Sequence, residues 1–188
     1  MSKLLVIIIT GLPATGKTTL GKKIATELNL PFISKDEIKE LLFDSLSYTD
    51  LDWSKKVGSA SHDLLYYLTE LFLKSKQSLI IETNFNPKFA NQKLADLKNK
   101  YDFQPIQIRC FAEGQTLFER FKKRAYSQER HPGHFDKENL DEWGKSLLAG
   151  TIEALDIDGP LFDLDTTDLT KLDYQKLIDE LKLIQEIK

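Results

Sequence analysis

Four groups of residues in this chain have types and spacings suited to phosphate chemistry. The stretch Gly11-Leu12-Pro13-Ala14-Thr15-Gly16-Lys17-Thr18 fits GxxxxGK[ST] in full, after an apolar run and before the amphipathic segment GKKIATEL. Glycine at both ends opens backbone conformations that other residues avoid and lets amides approach an anion. Those amides would point at a β-phosphate, reinforced by the positive end of the following helix. Lys17 would reach β- and γ-oxygens, and the Thr18 hydroxyl suits a magnesium ion. The loop from Gly11 through Thr19 is therefore expected to bind ATP, with Mg2+ as cofactor.

Two further segments bring carboxylates. In Ser34-Lys35-Asp36-Glu37, Ser34 and Glu37 have the spacing of a capping box, so a helix starts here with Asp36 in its first turn. Beyond the end of a strand near the loop, that carboxylate could take a proton from an acceptor hydroxyl and orient it for in-line attack. The plainer account is an acid that favours the helix dipole, worth ~0.5 kcal/mol. Lys39, one turn on, could contact an acceptor phosphate or else pair with Asp36 in solvent. The run Ile80-Ile81-Glu82-Thr83-Asn84 ends apolar residues on an acid, as a magnesium-binding Walker B element does. Glu82 is assigned to the metal with Thr18, and Thr83 and Asn84 to the acceptor. Asn86-Pro87 has the chemistry of a turn that begins a helix.

The fourth group is the arginines. Of 26 lysines and arginines only four are arginine, and Arg120, Arg124 and Arg130 cluster in ERFKKRAYSQERHPGH. Arg120 and Arg124 are four apart and share a helix face. Arginine outperforms lysine where planar, bidentate phosphate contacts matter. A lid over about 120–135 would place Arg120 and Arg124 on charge developing in phosphoryl transfer and would exclude water. Arg120, nearer the lid's base, is also assigned to ATP, and Arg130 to the acceptor. The alternative is a basic amphipathic helix with Leu117, Phe118 and Phe121 facing the core. His131 and His134 flank a hinge-like Pro132-Gly133, without the cysteines or spaced acids of a metal site.

The elements that must hold these groups follow from hydrophobic patterning. Strand-like runs occur at 4–10, 31–34, 78–83, 105–111 and 160–166. The first is a continuous β-branched and leucine run, which suits a central parallel strand covered on both faces. Between the strands, helical spacing gives a face of Ile38, Leu41, Leu42 and Leu46. A long helix at roughly 54–75 would present Val57, Leu64, Leu68, Leu71 and Phe72. Two more faces are Leu140, Trp143, Leu147 and Ile152, and Leu177, Leu181 and Ile184. Alternating strands and helices predict βαβ crossovers, with ligands beyond the carboxyl ends of the strands.

The chain has 188 residues, 41% hydrophobic and 29% charged, which suits one globular domain over 1–188. Its net charge of -3 shows no basic surface for nucleic acid, a less favoured partner than a small molecule. The single cysteine, Cys110, lies in an apolar run and is expected to be a buried strand residue. The N-terminal apolar run is too short for a signal sequence or a membrane span, so no membrane role and a cytoplasmic setting are expected.

Taken together, the glycine loop, SKDE, ETNFNP and the paired arginines resemble small P-loop kinases of the kinase-like AAA and zeta-toxin group. They most resemble the kinase domain of bacteriophage-type polynucleotide kinases, over roughly residues 5–130. The resemblance implies a nucleotide-kinase-like α/β fold with a five-stranded parallel sheet, order 2-3-1-4-5, and an arginine lid. It makes Asp36 the general base, matches Glu82-Thr83-Asn84-Phe85-Asn86-Pro87 to the family's Asp-Thr-Asn-x-Asn-Pro, and sets Lys39 where arginine is usual. It also implies that the loop near Asp163 to Thr167 borders adenine, and that the SYTDLDW stretch walls the acceptor pocket. There Tyr48 and Trp53 could stack on an acceptor, or Trp53 could serve the core. The expected activity is transfer of the γ-phosphate of ATP to a hydroxyl of a small molecule, nucleoside or nucleotide. The alternatives are a polynucleotide 5′-hydroxyl kinase and, in another class, an NTP-binding regulatory switch.

Overall fold

The computed structural model describes residues 3–186. Five strands, β1 (Leu5–Gly11), β2 (Phe32–Ser34), β3 (Leu79–Glu82), β4 (Gln104–Phe111) and β5 (Leu161–Asp165), form one sheet in the order β2-β3-β1-β4-β5. Every pairing is parallel. β1 lies at the centre because all its residues are buried: Leu5, Ile7 and Ile9 face one layer, Val6 and Ile8 the other.

Helices cover both faces. On one side α1 (Lys17–Leu28) and α7 (Tyr174–Glu186) bring Ile24, Ile178 and Leu181 onto β1 and β4. On the other, α3 (Leu51–Lys74) and α4 (Pro87–Tyr101) bring Leu65, Leu73 and Leu94 onto Val6, Ile8 and Ile81. Two helices, α5 (Gly114–Ala125) and α6 (Leu140–Leu148), form a third cluster of Leu117, Phe121 and Leu147 against Leu12. α2 (Lys35–Leu46) packs on α3. α4 begins as its sequence suggests, with Pro87 first and the Asn86 side chain accepting from the Lys88 amide.

Two helix faces differ from the hydrophobic pattern. α2 buries Lys35, Lys39 and Phe43, and leaves Leu41 67% and Leu46 57% exposed. α3 buries Ser54, Val57, Ser61, Leu65, Thr69 and Leu73, not the stripe through Leu64 and Leu71. The hydroxyls make this tolerable: Ser61 donates to the Val57 carbonyl at 2.7 Å and Thr69 to that of Leu65 at 2.7 Å. A hydroxyl so bonded buries at little cost, so its helix face is invisible to an apolar count. Leu65→Ala should then lower unfolding stability by about 2–5 kcal/mol, the usual cost of a buried cavity. Leu64→Ala should cost less than about 1 kcal/mol, since surface changes rarely exceed that. Urea unfolding of both variants checks the assignment; equal losses would restore the expected face.

Candidate active site

The glycine loop turns as an anion cradle requires. Gly11 (φ 153°) and Gly16 (φ 82°) hold backbone conformations that favour glycine, and Ala14 between them stands at φ 67°. A side chain at Gly11 would strike the Cys110 carbonyl, so the loop lies tight on β4. Thr15 is buried with its hydroxyl on the Leu12 carbonyl at 2.9 Å. Lys17 opens α1 and folds back to donate to the Leu12 carbonyl at 3.3 Å. Thr19, one position past Thr18, is exposed and outside the cavity that the loop borders.

Strand register then assembles the acids. Ser34 of β2 lies beside Glu82 of β3, which lies beside Ile9 of β1. The Glu82 carboxylate, 3% exposed, accepts from Thr18 Oγ1 at 3.0 Å and Ser34 Oγ at 2.8 Å, with Lys17 Nζ at 3.7 Å. Ser34 is the N-cap of α2, yet its side chain makes no cap bond, and Glu37 pairs with Lys22 at 2.6 Å. The helix start is as expected and the capping box is not, because a buried carboxylate claims the hydroxyl. Thr18 and Glu82 thus present two adjacent oxygens. That fits magnesium, which binds through one or two protein groups and completes its shell with phosphate and water.

A cavity of about 340 Å³ extends from Lys17 and Thr18 to Asp36, Lys39, Thr83, Asn84, Arg124 and Arg130. Asp36, about a third exposed, is bound by Lys35 at 2.6 Å and Arg130 at 3.2 Å. Burial alone would raise its pKa, but Lys35, Arg130 and His134 together hold it well below the usual carboxylate range. Lys39 is buried with Ser54 Oγ 2.9 Å from its ammonium. Burial, aided by Lys35, lowers it to about 8. Among the described residues it is the only lysine or arginine of this cavity without a carboxylate within ion-pair reach.

The arginines divide their work differently from the expectation. Arg130, not Arg120, closes the cavity: it meets Asp36, Glu40 at 3.3 Å and Asp136 at 2.8 Å. Arg124 binds Asp136 at 3.2 Å, and its buried Nε has no partner among the described residues. Arg120 faces away, donating to the carbonyls of Thr166 at 2.8 Å and Thr167 at 2.9 Å, which end the ladder of β5. It therefore anchors the loop after β5 and does not line this cavity. Arg109, the fourth, pairs with Asp163 across β4 and β5.

The histidine turn locks this arrangement. Pro132–His134 forms a single 3-10 turn in which a side chain at Gly133 would strike the Phe43 ring at 2.6 Å. His131 stacks on Phe43 at 5.3 Å, and His134 reaches Glu40 at 2.9 Å. Tyr48 packs edge-on against Phe43 and His131, so it belongs to the lid's seat and not to an acceptor stack. Trp53 donates to the Ser47 carbonyl at 3.1 Å and does not line the cavity. Cys110 is fully buried, which pushes its thiol up to about 12. Spacing alone showed neither the lid seat nor the roles of Lys35, Glu40 and Asp136; the cluster of acids flanking RHPGH was the available signal.

Comparison with known proteins places this geometry. Residues 6–148 match the model of a family described as an AAA domain. The chain belongs to that family. The AAA-domain chain is similar to a candidate kinase of Chloroflexus aurantiacus J-10-fl, at 38% identity over 97% of this chain and 98% of that one, with a TM-score of 0.88. It shares its fold with Chaetomium thermophilum Kti12 in complex with ADP-AlF3, at 21% identity over 94% and 96% of the two chains, TM-score 0.60. A sugar kinase of Janibacter sp. HTCC2649 shares it too, at 17% identity over 96% and 92%, TM-score 0.57. No curated protein matches. The phage-type polynucleotide kinase resemblance finds support only at the coarser level of kinase-like P-loop proteins. Among the described residues no helix is long and apolar enough to cross a membrane.

The lid seat is sensitive to acid. Burial lowers the His134 pKa and Arg130 lowers it further, outweighing the bond to Glu40. The unfolded chain therefore takes up a proton near pH 6.5 that the folded chain refuses until lower pH. The stabilisation is complete above about pH 6.5 and is lost as the pH falls below it. Denaturant unfolding between pH 7 and pH 5 should show this decline, and His134→Gln should flatten it, leaving the part due to His62, whose pKa burial also lowers. An unchanged slope in the variant would remove His134 from the seat.

Proposed function

We propose that this AAA-domain protein is an ATP-dependent kinase that phosphorylates a hydroxyl of a small molecule. One observation carries the reading: a phosphate loop, a metal-suited acid and a candidate base open onto the same cavity, under a lid that brings two arginines. The loop amides and Lys17 bind the β- and γ-phosphates. Thr18 and Glu82 would hold Mg2+, which would supply charge neutralisation for the phosphate. Asp36 accepts the acceptor's proton as that oxygen bonds to the γ-phosphorus, the β–γ bridging bond breaks, and ADP leaves. Arg124, with its free Nε, and Arg130 stabilise the charge in transit. Lys39, Thr83 and Asn84 hold the acceptor, and Lys39 favours one with an anionic or strongly polar substituent. Arg120 and the Thr166–Thr167 loop are assigned to the adenine side.

A polynucleotide acceptor is less favoured, because the net charge of -3 offers no stripe for a polyanion. A regulatory switch would not need an acid facing an acceptor space.

Asp36→Asn should slow phosphate transfer about 100-fold or more, the scale of lost acid–base help, with ATP affinity unchanged. Arg124→Lys keeps the charge but loses the planar fork, and should cost about 10-fold to 1000-fold in rate with little effect on ATP binding. Single-turnover transfer from labelled ATP, with the best acceptor from a screen of hydroxyl compounds, measures both. Parent-level rates would remove Asp36 or the lid from the chemistry. ATP consumption that no acceptor accelerates would favour the switch.

A further inference from the structure

A second cavity, about 470 Å³, lies beside the first, between α3, α4 and the loop after β3. The two share Asn84. They also share α3 as a wall: it gives Ser54 and Lys55 to the first, and Ser59, His62 and Tyr66 to the second. Their chemistry differs sharply. The first is dense with charge, whereas the second is walled by the rings of Tyr66, Phe85 and Phe89.

Phe89 is the informative residue. It is 64% exposed, while the buried face of α4 runs through Ala90, Leu94 and Leu97. Helix packing does not require an aromatic side chain there. Tyr66 and Phe85 lie 6.3 Å apart with rings inclined at 58°, and Lys93 covers the Tyr66 ring at 4.7 Å. Lys93 is itself tied to Asp63 at 3.1 Å, so the rim is balanced in charge. A space of this size with aromatic walls, edged by polar side chains such as Asp63, Asn86 and Lys93, has the form of a small-ligand site.

The junction between the cavities is polar and uncharged. Burial and Lys35 lower the His62 pKa, so the ring is neutral near pH 7. Its Nδ1–H donates to the Gly58 carbonyl at 3.0 Å, which makes Nε2 an acceptor, 3.4 Å from the Thr83 hydroxyl. Thr83 gives its single hydroxyl proton to Asn84 Oδ1 at 3.2 Å, so it donates nothing to His62 Nε2. That leaves the Asn84 amide NH2 without a partner among the described residues, at the passage between the two spaces.

We propose that the second cavity holds a planar aromatic or heteroaromatic ring of the acceptor, whose hydroxyl arm passes Asn84 to reach Asp36. The inference rests on reading the first cavity as the kinase site and narrows its acceptor to ring-bearing alcohols, as opposed to sugars and polyols. Stacking on the exposed Phe89 ring, with Tyr66 and Phe85 as side walls, supplies affinity. The unpaired amide at the junction selects an arm that carries a hydrogen-bond acceptor.

The test uses the full chain with a non-hydrolysable ATP analogue. Saturation-transfer NMR measures binding of thymidine and 2-phenylethanol as ring probes, and of glycerol and glucose as ring-free alcohols. Phe89→Ala removes a wall and Ser59→Trp fills the space, both at exposed positions. Ring probes should bind the parent, weaken roughly 5-fold to 100-fold in Phe89→Ala and be lost in Ser59→Trp, with affinity for the ATP analogue unchanged. Ring probes that ignore both substitutions, or that fail to bind the parent, would overturn the proposal. Phosphate transfer to glycerol or glucose with the same KM in all three proteins would also overturn it, leaving the kinase reading intact. Substitution-sensitive ring binding without any acceptor-dependent transfer would keep the cavity and remove the kinase.

Discussion

The structure is organised around one buried charge. Glu82 ends an apolar strand and is 3% exposed, so its carboxylate has lost nearly all of its water. The desolvation of such an ion costs several kcal/mol and must be offset by donors held in good geometry. Two elements supply them at once: Lys17 and Thr18 from the start of α1, and Ser34 from the end of β2. The parallel register of β1, β2 and β3 brings them level. The same carboxylate therefore sets the position of the phosphate loop and of the first turn of α2, where Asp36 stands.

The lid is held to this base by charge as well as by its aromatic seat on Phe43. Asp136, Arg130, Asp36 and Lys35 form a continuous chain of ion pairs, with Glu40 and His134 beside it. Arg130 is only 14% exposed, so these contacts are poorly screened by solvent. Burial would lower the Arg130 pKa, but Asp36 and Asp136 raise it. An anion entering the cavity competes with Asp36 for Arg130 and with Asp136 for Arg124. Each cation drawn away from Asp36 raises that carboxylate's proton affinity.

The sequence made the loop, Asp36, Glu82 and the alternation of strands legible, because each depends on local types and spacing. The strand order came through resemblance. What stayed hidden depends on contacts across the chain. α2 turns Lys35 and Lys39 inward and Leu41 outward, since an anionic and polar cavity, not the apolar core, faces that side of the helix. α3 buries hydroxyls that bond their own helix. Arg120 turns away from the cavity while Arg130 lines it as expected, reaching it across the turn that follows Ala125, where helical spacing says nothing. The aromatic cavity draws its rings from α3, the loop after β3 and α4, which no short window contains.

Lys39 shows why such misreadings are informative. A helix could have placed leucine there and covered Phe43 at no electrostatic cost. Instead an ammonium is buried against Ser54 and over the Phe43 ring at 5.2 Å, with its pKa drawn down to about 8. Most of this group remains charged near neutral pH, but its charge is poorly compensated, and Lys35 nearby makes the deficit worse. The protein tolerates it because the rest of the cavity's cations are already matched to acids. Any group that brings negative charge or a strong hydrogen-bond acceptor to Lys39 relieves this deficit and raises its pKa. The unfavourable position of this lysine thereby becomes a preference for a negative or strongly accepting group beside it.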